Sequence, residues 1–209
     1  MAQLKIGRMV LGVCTTNCYF LYREGEQDAI VVDPADNGEQ IYHALSERKF
    51  VVKGILLTHG HFDHILGANK LRELSGAKIY ALEEEKALCE DAALNLSAQF
   101  GKAEKVAVDV YVKDEESITI GDMTCKVIAT PGHTEGSCCF YFEEAGFLVC
   151  GDTVFLESVG RTDFPTGSSS RLIRSIKERI FTLPEETKLY PGHGDGTTVE
   201  HEKKYNPFC

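Results

Sequence analysis

Apolar residues in the first third of the chain come in short blocks with the length and residue types of strands: Met9-Val10-Leu11, Cys18-Tyr19-Phe20-Leu21-Tyr22 and Ala29-Ile30-Val31-Val32. Asp33-Pro34 closes the third block, because proline has no N–H to continue a ladder. Asn37 or Gly38 can then open a helix with Ile41, Tyr42 and Leu45 on one face. The run 50–57, apolar except for Lys53-Gly54, predicts a buried strand. A helix is expected over 65–74, ended by Gly76, and a strand over 78–81; Ala87, Leu88, Ala92 and Leu96 repeat at helical spacing through 83–96. Strand-like runs follow at 108–112, 117–120, 125–129, 138–142 and 147–150. Gly167-Ser168-Ser169-Ser170 supplies an N-cap for a helix carrying Leu172, Ile173, Ile176 and Ile180, and 187–190 makes a last strand. Strand-rich blocks with helices in both halves predict an α/β chain, with two sheets covered by helices in one domain over 1–209.

Composition narrows the functional classes. With 43% apolar residues in 209, the chain can fill a core without disulfides or a partner. A net charge of −10 argues against nucleic acid, whose phosphates need a basic face. The acidic runs Glu83-Glu84-Glu85, Asp114-Glu115-Glu116 and Glu185-Glu186 read as solvated faces or loops, so an anionic substrate would need a local basic residue. The first residues lack the apolar core of a secretory signal, and no apolar run approaches the ~20 residues of a membrane span. A soluble, cytoplasmic protein acting on a small molecule is expected, with oligomeric state left open. Eight scattered cysteines, several in apolar strand-like runs, read as buried hydrophobes of a reducing compartment.

The chemistry concentrates in Thr58-His59-Gly60-His61-Phe62-Asp63-His64. Packing gains nothing from crowding imidazoles and a carboxylate, whereas a divalent cation needs them. In an extended segment His59, His61 and Asp63 project to one side, while His64 must point elsewhere, especially where a helix begins. One loop offering ligands in two directions suits two adjacent ions better than one. Further ligands should sit at other strand ends, and one construction recurs: Thr130-Pro131-Gly132 leads to His133, Cys150-Gly151 to Asp152, and Pro191-Gly192 to His193. His43, on an expected surface helix, and His201, among charged residues, read as solvent-facing.

These residues resemble the metallo-β-lactamase superfamily over nearly the whole chain, with Thr58–His64 matching its T-H-x-H-x-D-H signature. The resemblance implies an αββα sandwich with a binuclear site along one edge. It implies that His59, His61 and His133 hold one ion, that Asp63, His64 and His193 hold the other, and that Asp152 bridges them. Within the superfamily the chain looks most like short bacterial glyoxalase II-like hydrolases, through Thr16-Asn17-Cys18-Tyr19, Val32-Asp33-Pro34, Gly151-Asp152-Thr153-Val154-Phe155, Gly160-Arg161-Thr162-Asp163-Phe164 and the tail Glu202-Lys203…Asn206-Pro207-Phe208. The C-terminal helical domain that supplies part of the glutathione site in longer glyoxalase II enzymes is expected to be missing. Arg161 and Asp163-Phe164 stand where those enzymes carry a Lys and a Tyr; Arg161 is the candidate substrate contact, and the thiol carrier stays open.

The expected activity is thioester hydrolysis, of S-lactoylglutathione or another acyl-thiol, by a hydroxide bridging two divalent ions. Zinc leads, with iron and manganese also suited to the donor set. Asp63 would orient that hydroxide and take a proton, and Asp33 and Thr134 are candidates to hydrogen-bond the ligands, although turn geometry is the first role read for them. The main alternative is a persulfide dioxygenase of the same fold, with a single iron on His59, His133 and Asp152. A lactonase and a non-catalytic metal-binding protein rank lower.

Overall fold

The computed structural model describes residues 2–209. Strand β1 (Leu4–Leu11) pairs antiparallel with β2 (Thr16–Arg23), and β2 with β3 (Asp28–Val32). Helix α1 (Gly38–Glu47) then crosses over to β4 (Val51–Leu56), parallel to β3. Helices α2 (Phe62–Ile65) and α3 (Ala68–Ser75) lead to β5 (Lys78–Leu82), and α4 (Lys86–Glu90) precedes β6 (Val110–Val112), both parallel additions to the first sheet. The second sheet begins with an antiparallel meander of β7 (Ser117–Ile120), β8 (Met123–Ala129), β9 (Cys138–Phe142) and β10 (Phe147–Gly151). A small hairpin of β11 (Val154–Phe155) and β12 (Ser158–Val159) and helix α5 (Ser169–Ser175) follow. Strand β13 (Lys188–Pro191) is parallel to β10, β14 (Thr197–Thr198) forms the edge, and α6 (Val199–Tyr205) comes last.

Three apolar layers establish the αββα sandwich. Leu21, Ile30 and Leu56 of the first sheet meet Val127, Phe140 and Val149 of the second in the central core. The outer face of the first sheet packs Val31 and Ile55 against Ile41 and Leu45 of α1 and Leu71 of α3. The outer face of the second packs Cys139 and Leu148 against Leu172, Ile176 and Val199. Adjacent residues such as Cys139 and Phe140 thus face different cores, as strand pleating requires, and strands covered on both faces read as unbroken apolar runs. The strands β4, β10 and β13 deliver their C-terminal ends, the ends that carry the motifs, to one edge of the sandwich. Among the described residues no helix is long and apolar enough to cross a membrane.

Several expected elements differ in detail. The helix expected over 65–74 is two pieces, because Gly67 turns under α1: a Cβ there would lie 2.7 Å from the Pro34 carbonyl oxygen. The helix expected through 83–96 ends at Glu90, where Asp91 turns to extended backbone and its side chain accepts from the N–H groups of Ala93 and Leu94. Asn37 caps α1 through Gln40 N–H, whereas Ser168 heads α5 without a side-chain cap, and α5 runs on into a wider π turn over Ile176–Ile180. Six of the eight cysteines are buried; Cys14 and Cys209 are partly exposed, so the reading of all eight as core residues is corrected for these two.

Phe140 is fully buried in the central core, so Phe140→Ala is expected to lower unfolding stability by about 3–5 kcal/mol in urea titration. Val51→Ala, at a side chain 45% exposed, should change it by less than about 0.5 kcal/mol. Equal losses at both positions would contradict this assignment of the core.

Candidate metal centre

Seven side chains from four chain segments converge at the sandwich edge. His59, His61, Asp63 and His64 follow β4; His133 follows β8, Asp152 follows β10, and His193 follows β13. His61 is the extended N-cap of α2, so Asp63 and His64 lie in the first helical turn and diverge from His59 and His61. Adjacent Asp63 and His64 nevertheless face a common partner set, because a helical turn keeps neighbouring side chains closer than an extended strand does.

The donor atoms form three overlapping groups, each with atoms within 4.8 Å of one another: His59, His61 and His133; His59, His64 and Asp152; Asp63, His64 and His193. In the first, His133 Nε2 lies 2.9 Å from His61 Nδ1 and 3.2 Å from His59 Nε2. Nitrogens about 2.0–2.1 Å from a tetrahedral ion would stand only slightly farther apart. The Asp152 carboxylate lies between the outer groups, with Oδ1 3.4 Å from His64 Nε2 and Oδ2 3.4 Å from His193 Nε2 and 3.6 Å from His133 Nε2. His193 Nε2 is also 3.3 Å from Asp63 Oδ2.

Hydrogen bonds behind the cluster select which ring nitrogen carries the proton. Asp33, 1% exposed, accepts from Thr58 N–H (2.8 Å), Thr58 Oγ1–H (2.7 Å) and His64 Nδ1 (2.9 Å). A carboxylate only accepts, so His64 Nδ1 is the donor and Nε2 turns to the cluster. The Thr58 hydroxyl proton is spent on Asp33, so its oxygen accepts from His59 Nδ1 at 3.2 Å, leaving His59 Nε2 with its lone pair inward. The Arg161 carbonyl likewise accepts from His133 Nδ1 at 2.7 Å. Buried His59 and His133 thus turn their Nε2 lone pairs toward one another at 3.2 Å, an arrangement that packing alone would not favour.

Two segments outside the motifs hold the loops. On β2, Thr16 Oγ1 donates to Asp63 (3.0 Å), Asn17 Nδ2 to the carbonyls of Pro191 and Gly194 (2.9 Å each), and Tyr19 OH to Pro191 (2.8 Å), tying the His193 loop to the first sheet. Glu85 was expected on a solvated face with Glu83 and Glu84; instead it is 2% exposed. Its carboxylate accepts from Gly60 N–H (2.7 Å), Gly136 N–H (2.9 Å) and the Thr134 hydroxyl, clamping the His59–His61 loop to the His133 loop. Thr134 therefore acts through Glu85, not on a ligand directly, and Asp33 is far more than a turn residue. No sequence signal separates Glu85 from Glu84; its role depends on contacts 25 to 51 residues away. Gly192 allows the close approach of β13, since a Cβ there would lie 2.7 Å from His64 Cε1 and strike the Asp152 carboxylate.

Electrostatics divide the cluster in two. Burial, then the neighbouring imidazoles, holds His59 well below the ordinary histidine range and His61 at about 3; burial also lowers His133. Burial opposes charge on His64 and His193 as well, but carboxylates overcome it. Asp63, Asp152 and Asp33 carry His64 well upward, and Asp152 and Asp63 carry His193 to about 9. His64 Nε2, His61 Nε2 and Asp152 Oδ1 are buried without a hydrogen-bond partner, each such group costing about 1–3 kcal/mol. Cations at the cluster would satisfy the His64 and Asp152 atoms, and the donor set of imidazoles and carboxylates fits them.

Arg161 borders the adjoining cavity, but its guanidinium is engaged by Asp163 at 2.8 and 2.7 Å. Cys14 also lines this cavity, where burial and then Asp63 raise its thiol pKa. His43 is exposed beside Glu39, and His201 is paired with Glu157; neither joins the cluster.

A family model described as the metallo-beta-lactamase superfamily matches residues 11–193, an interval containing all seven donors. The chain belongs to that superfamily. It is 35% identical to a probable metallo-hydrolase, YqgX, of Bacillus subtilis (strain 168), over 98% of this chain and 97% of that one. It is 30% identical to the hydroxyacylglutathione hydrolase GloC of Haemophilus influenzae, over 92% of each. Among solved structures, BLEG-1 B3 metallo-beta-lactamase superposes with a TM-score of 0.93 at 36% identity, covering 98% of this superfamily member and 99% of that chain. TTHA1623, in a di-iron-bound form, superposes at 0.86 with 31% identity, covering 97% and 100%.

Removing the Asp33 charge in Asp33→Asn should weaken zinc binding about 10–100-fold, while His43→Ala leaves it unchanged. Undiminished affinity in Asp33→Asn, measured by competition with a chelator, would remove this role. A second expectation concerns pH. An imidazolium has no lone pair for a metal, so uptake by the Asp63–His64–His193 group must expel protons from His64 and His193. Its affinity should rise at least about tenfold per pH unit from pH 6 toward 9, while the group of neutral His59, His61 and His133 stays nearly flat. Calorimetry in two buffers of different ionisation enthalpy counts the protons; none released at the tighter-pH-dependent site would refute the division.

Proposed function

We propose that this protein is a binuclear metal-dependent hydrolase that cleaves thioesters. One observation carries the reading. The seven donors divide into two separate triads, His59–His61–His133 and Asp63–His64–His193, with Asp152 in the group that shares a member with each. One cation cannot use all seven. In this reading Asp152 is the shared ligand, with zinc the leading metal and iron or manganese also compatible.

Divalent ions, when bound, supply Lewis acidity and bring the pKa of water down toward about 7. The chain's own residues then have distinct tasks. The fixed tautomers of His59, His64 and His133 keep the donor geometry rigid, which limits reorganisation as charge develops. Asp63 has its pKa lowered, burial being outweighed by His64 and His193, so it is ionised at neutral pH. Held by Thr16, its carboxylate can orient the attacking water and accept a proton.

A thioester is favoured among acyl substrates by what surrounds the cluster. Among the described residues, apart from the metal donors themselves and the Cys14 thiol, whose pKa is raised, no titratable acid lines the cavity to protonate a poor leaving group. A thiolate, whose conjugate acid has a pKa near about 8.5, departs without one. Similarity to GloC supports the same class.

The purified protein should contain about two ions per chain, and chelation should abolish hydrolysis of a thioester panel that includes S-lactoylglutathione. His61→Ala and Asp152→Ala should lose metal and at least about a hundredfold in kcat/KM together. One iron per chain, with oxygen consumed in the presence of a persulfide, would replace this reading with the mononuclear dioxygenase.

A further inference from the structure

The cavity beside the donor cluster has a volume of about 430 Å³, enough for a small substrate. Its walls are mainly carbon: Phe62, Leu96, Phe100, Phe155, Val159 and Phe164. Two of the rings abut opposite ends of the cluster. Phe164 stands edge-on to His61 with centroids 5.5 Å apart, and Phe155 stands edge-on to His193 at 6.0 Å. The third wall is the pair Phe62 and Phe100, stacked at 4.1 Å. A scissile carbonyl held at the cluster would therefore meet apolar surface on both of its arms.

Charge points the same way. Among the described residues Arg161 is the one lysine or arginine that lines the cavity. Its guanidinium lies over the Phe164 ring, 3.8 Å from the centroid, and donates from Nε and Nη2 to both oxygens of Asp163. That bidentate fork is the geometry by which arginine would otherwise take a substrate carboxylate or phosphate. Two arginines that flank the donor loops are also paired, Arg8 with Asp195 and Arg171 with Glu135. A chain of net charge −10 gives no long-range help to an anion.

We propose that the cavity selects thioesters whose acyl and thiol arms are both uncharged and apolar, and that Asp163 sets this preference by occupying the Arg161 guanidinium. The proposal rests on the hydrolase reading for its scissile bond but not for its pocket. It makes the anionic glutathione moiety a poor carrier here. Asp163 is a specificity-determining residue: without its charge, Arg161 is free to receive an anion.

The test compares S-acetyl-, S-butyryl- and S-hexanoyl-N-acetylcysteamine with S-lactoylglutathione on the metal-loaded protein. The value of kcat/KM should climb about threefold per added methylene, and the hexanoyl compound should exceed S-lactoylglutathione by at least about tenfold. Phe164→Ala should flatten the chain-length series. Asp163→Asn, at an exposed position that folding tolerates, should shift the ratio of S-lactoylglutathione to S-butyryl-N-acetylcysteamine roughly fivefold toward the anion at low ionic strength. A preference for S-lactoylglutathione in the unmodified protein, or no shift in Asp163→Asn, overturns the proposal. If no thioester is hydrolysed, the hydrolase reading fails by itself, and calorimetric binding of 1-butanethiol against glutathione to the metal-loaded protein decides the pocket. Tighter butanethiol sustains it, and tighter glutathione overturns it.

Discussion

The carboxylate of Asp33 sits at the junction between strand β3 and the first ligand loop, and the donor cluster is oriented outward from its hydrogen bonds. A buried carboxylate is tolerable only when its oxygens are fully used, and here the Thr58 N–H, the Thr58 hydroxyl and His64 Nδ1 use them. The consequence reaches past the direct contacts. Because the Thr58 proton is spent on Asp33, the same hydroxyl must accept from His59, so one carboxylate fixes Nδ1–H on two imidazoles, one in each outer donor group. The backbone contributes as well: Asp33 N–H bonds the Leu56 carbonyl at 2.9 Å, with φ of 51°, so the turn that aims the carboxylate is locked to the strand whose end it serves.

Glu85 plays the complementary part on the opposite side. Its three donors come from two loops in different sheets, and burial raises its pKa to about 7, against the hydrogen bonds from Gly60, Thr134 and Gly136 that favour the charge. With Asn17 and Tyr19 gripping the His193 loop, and Gly192 N–H donating to the Gly151 carbonyl next to Asp152 (2.9 Å), every donor segment is tied to a neighbour by something other than a metal. Such a cradle is preorganised, yet it leaves buried donors unsatisfied at His64 and Asp152. Ion binding would therefore contribute to folding stability as well as to chemistry, since it relieves a cost already present in the folded chain.

The layers and the convergence of seven histidine and aspartate side chains are legible in the sequence for a common reason. Periodicity and strand-ending glycine motifs are local signals, and His59, His133, Asp152 and His193 each follow an apolar strand by a few residues. What escaped was written in long-range contacts. Glu85 looks like Glu84 until the chain folds, and Asp33, a candidate to hydrogen-bond a ligand, reads first as a turn residue before proline. The division of the 65–74 helix was also hidden, because it depends on Gly38 and Gly67 meeting: a Cβ on Gly38 would strike the Gly67 carbonyl. Helical period reports which face is buried; it does not report how closely another backbone approaches.

Under the proposed function, Arg161 serves the donor cluster and substrate selection by separate atoms. Its carbonyl accepts from His133 Nδ1, a contact that any residue's backbone can make, so the side chain can change without altering that tautomer. Its guanidinium faces the cavity and answers to Asp163, two residues on. The donor cluster is buried and over-determined by hydrogen bonds, whereas the Arg161–Asp163 pair is exposed and held by contacts of modest strength. Substitutions in this short segment can therefore alter charge recognition at small cost in stability, while a comparable change at Asp33 or Glu85 would disturb the cluster itself. On physical grounds, members of this superfamily should diverge in substrate through segments of this kind before they diverge in mechanism.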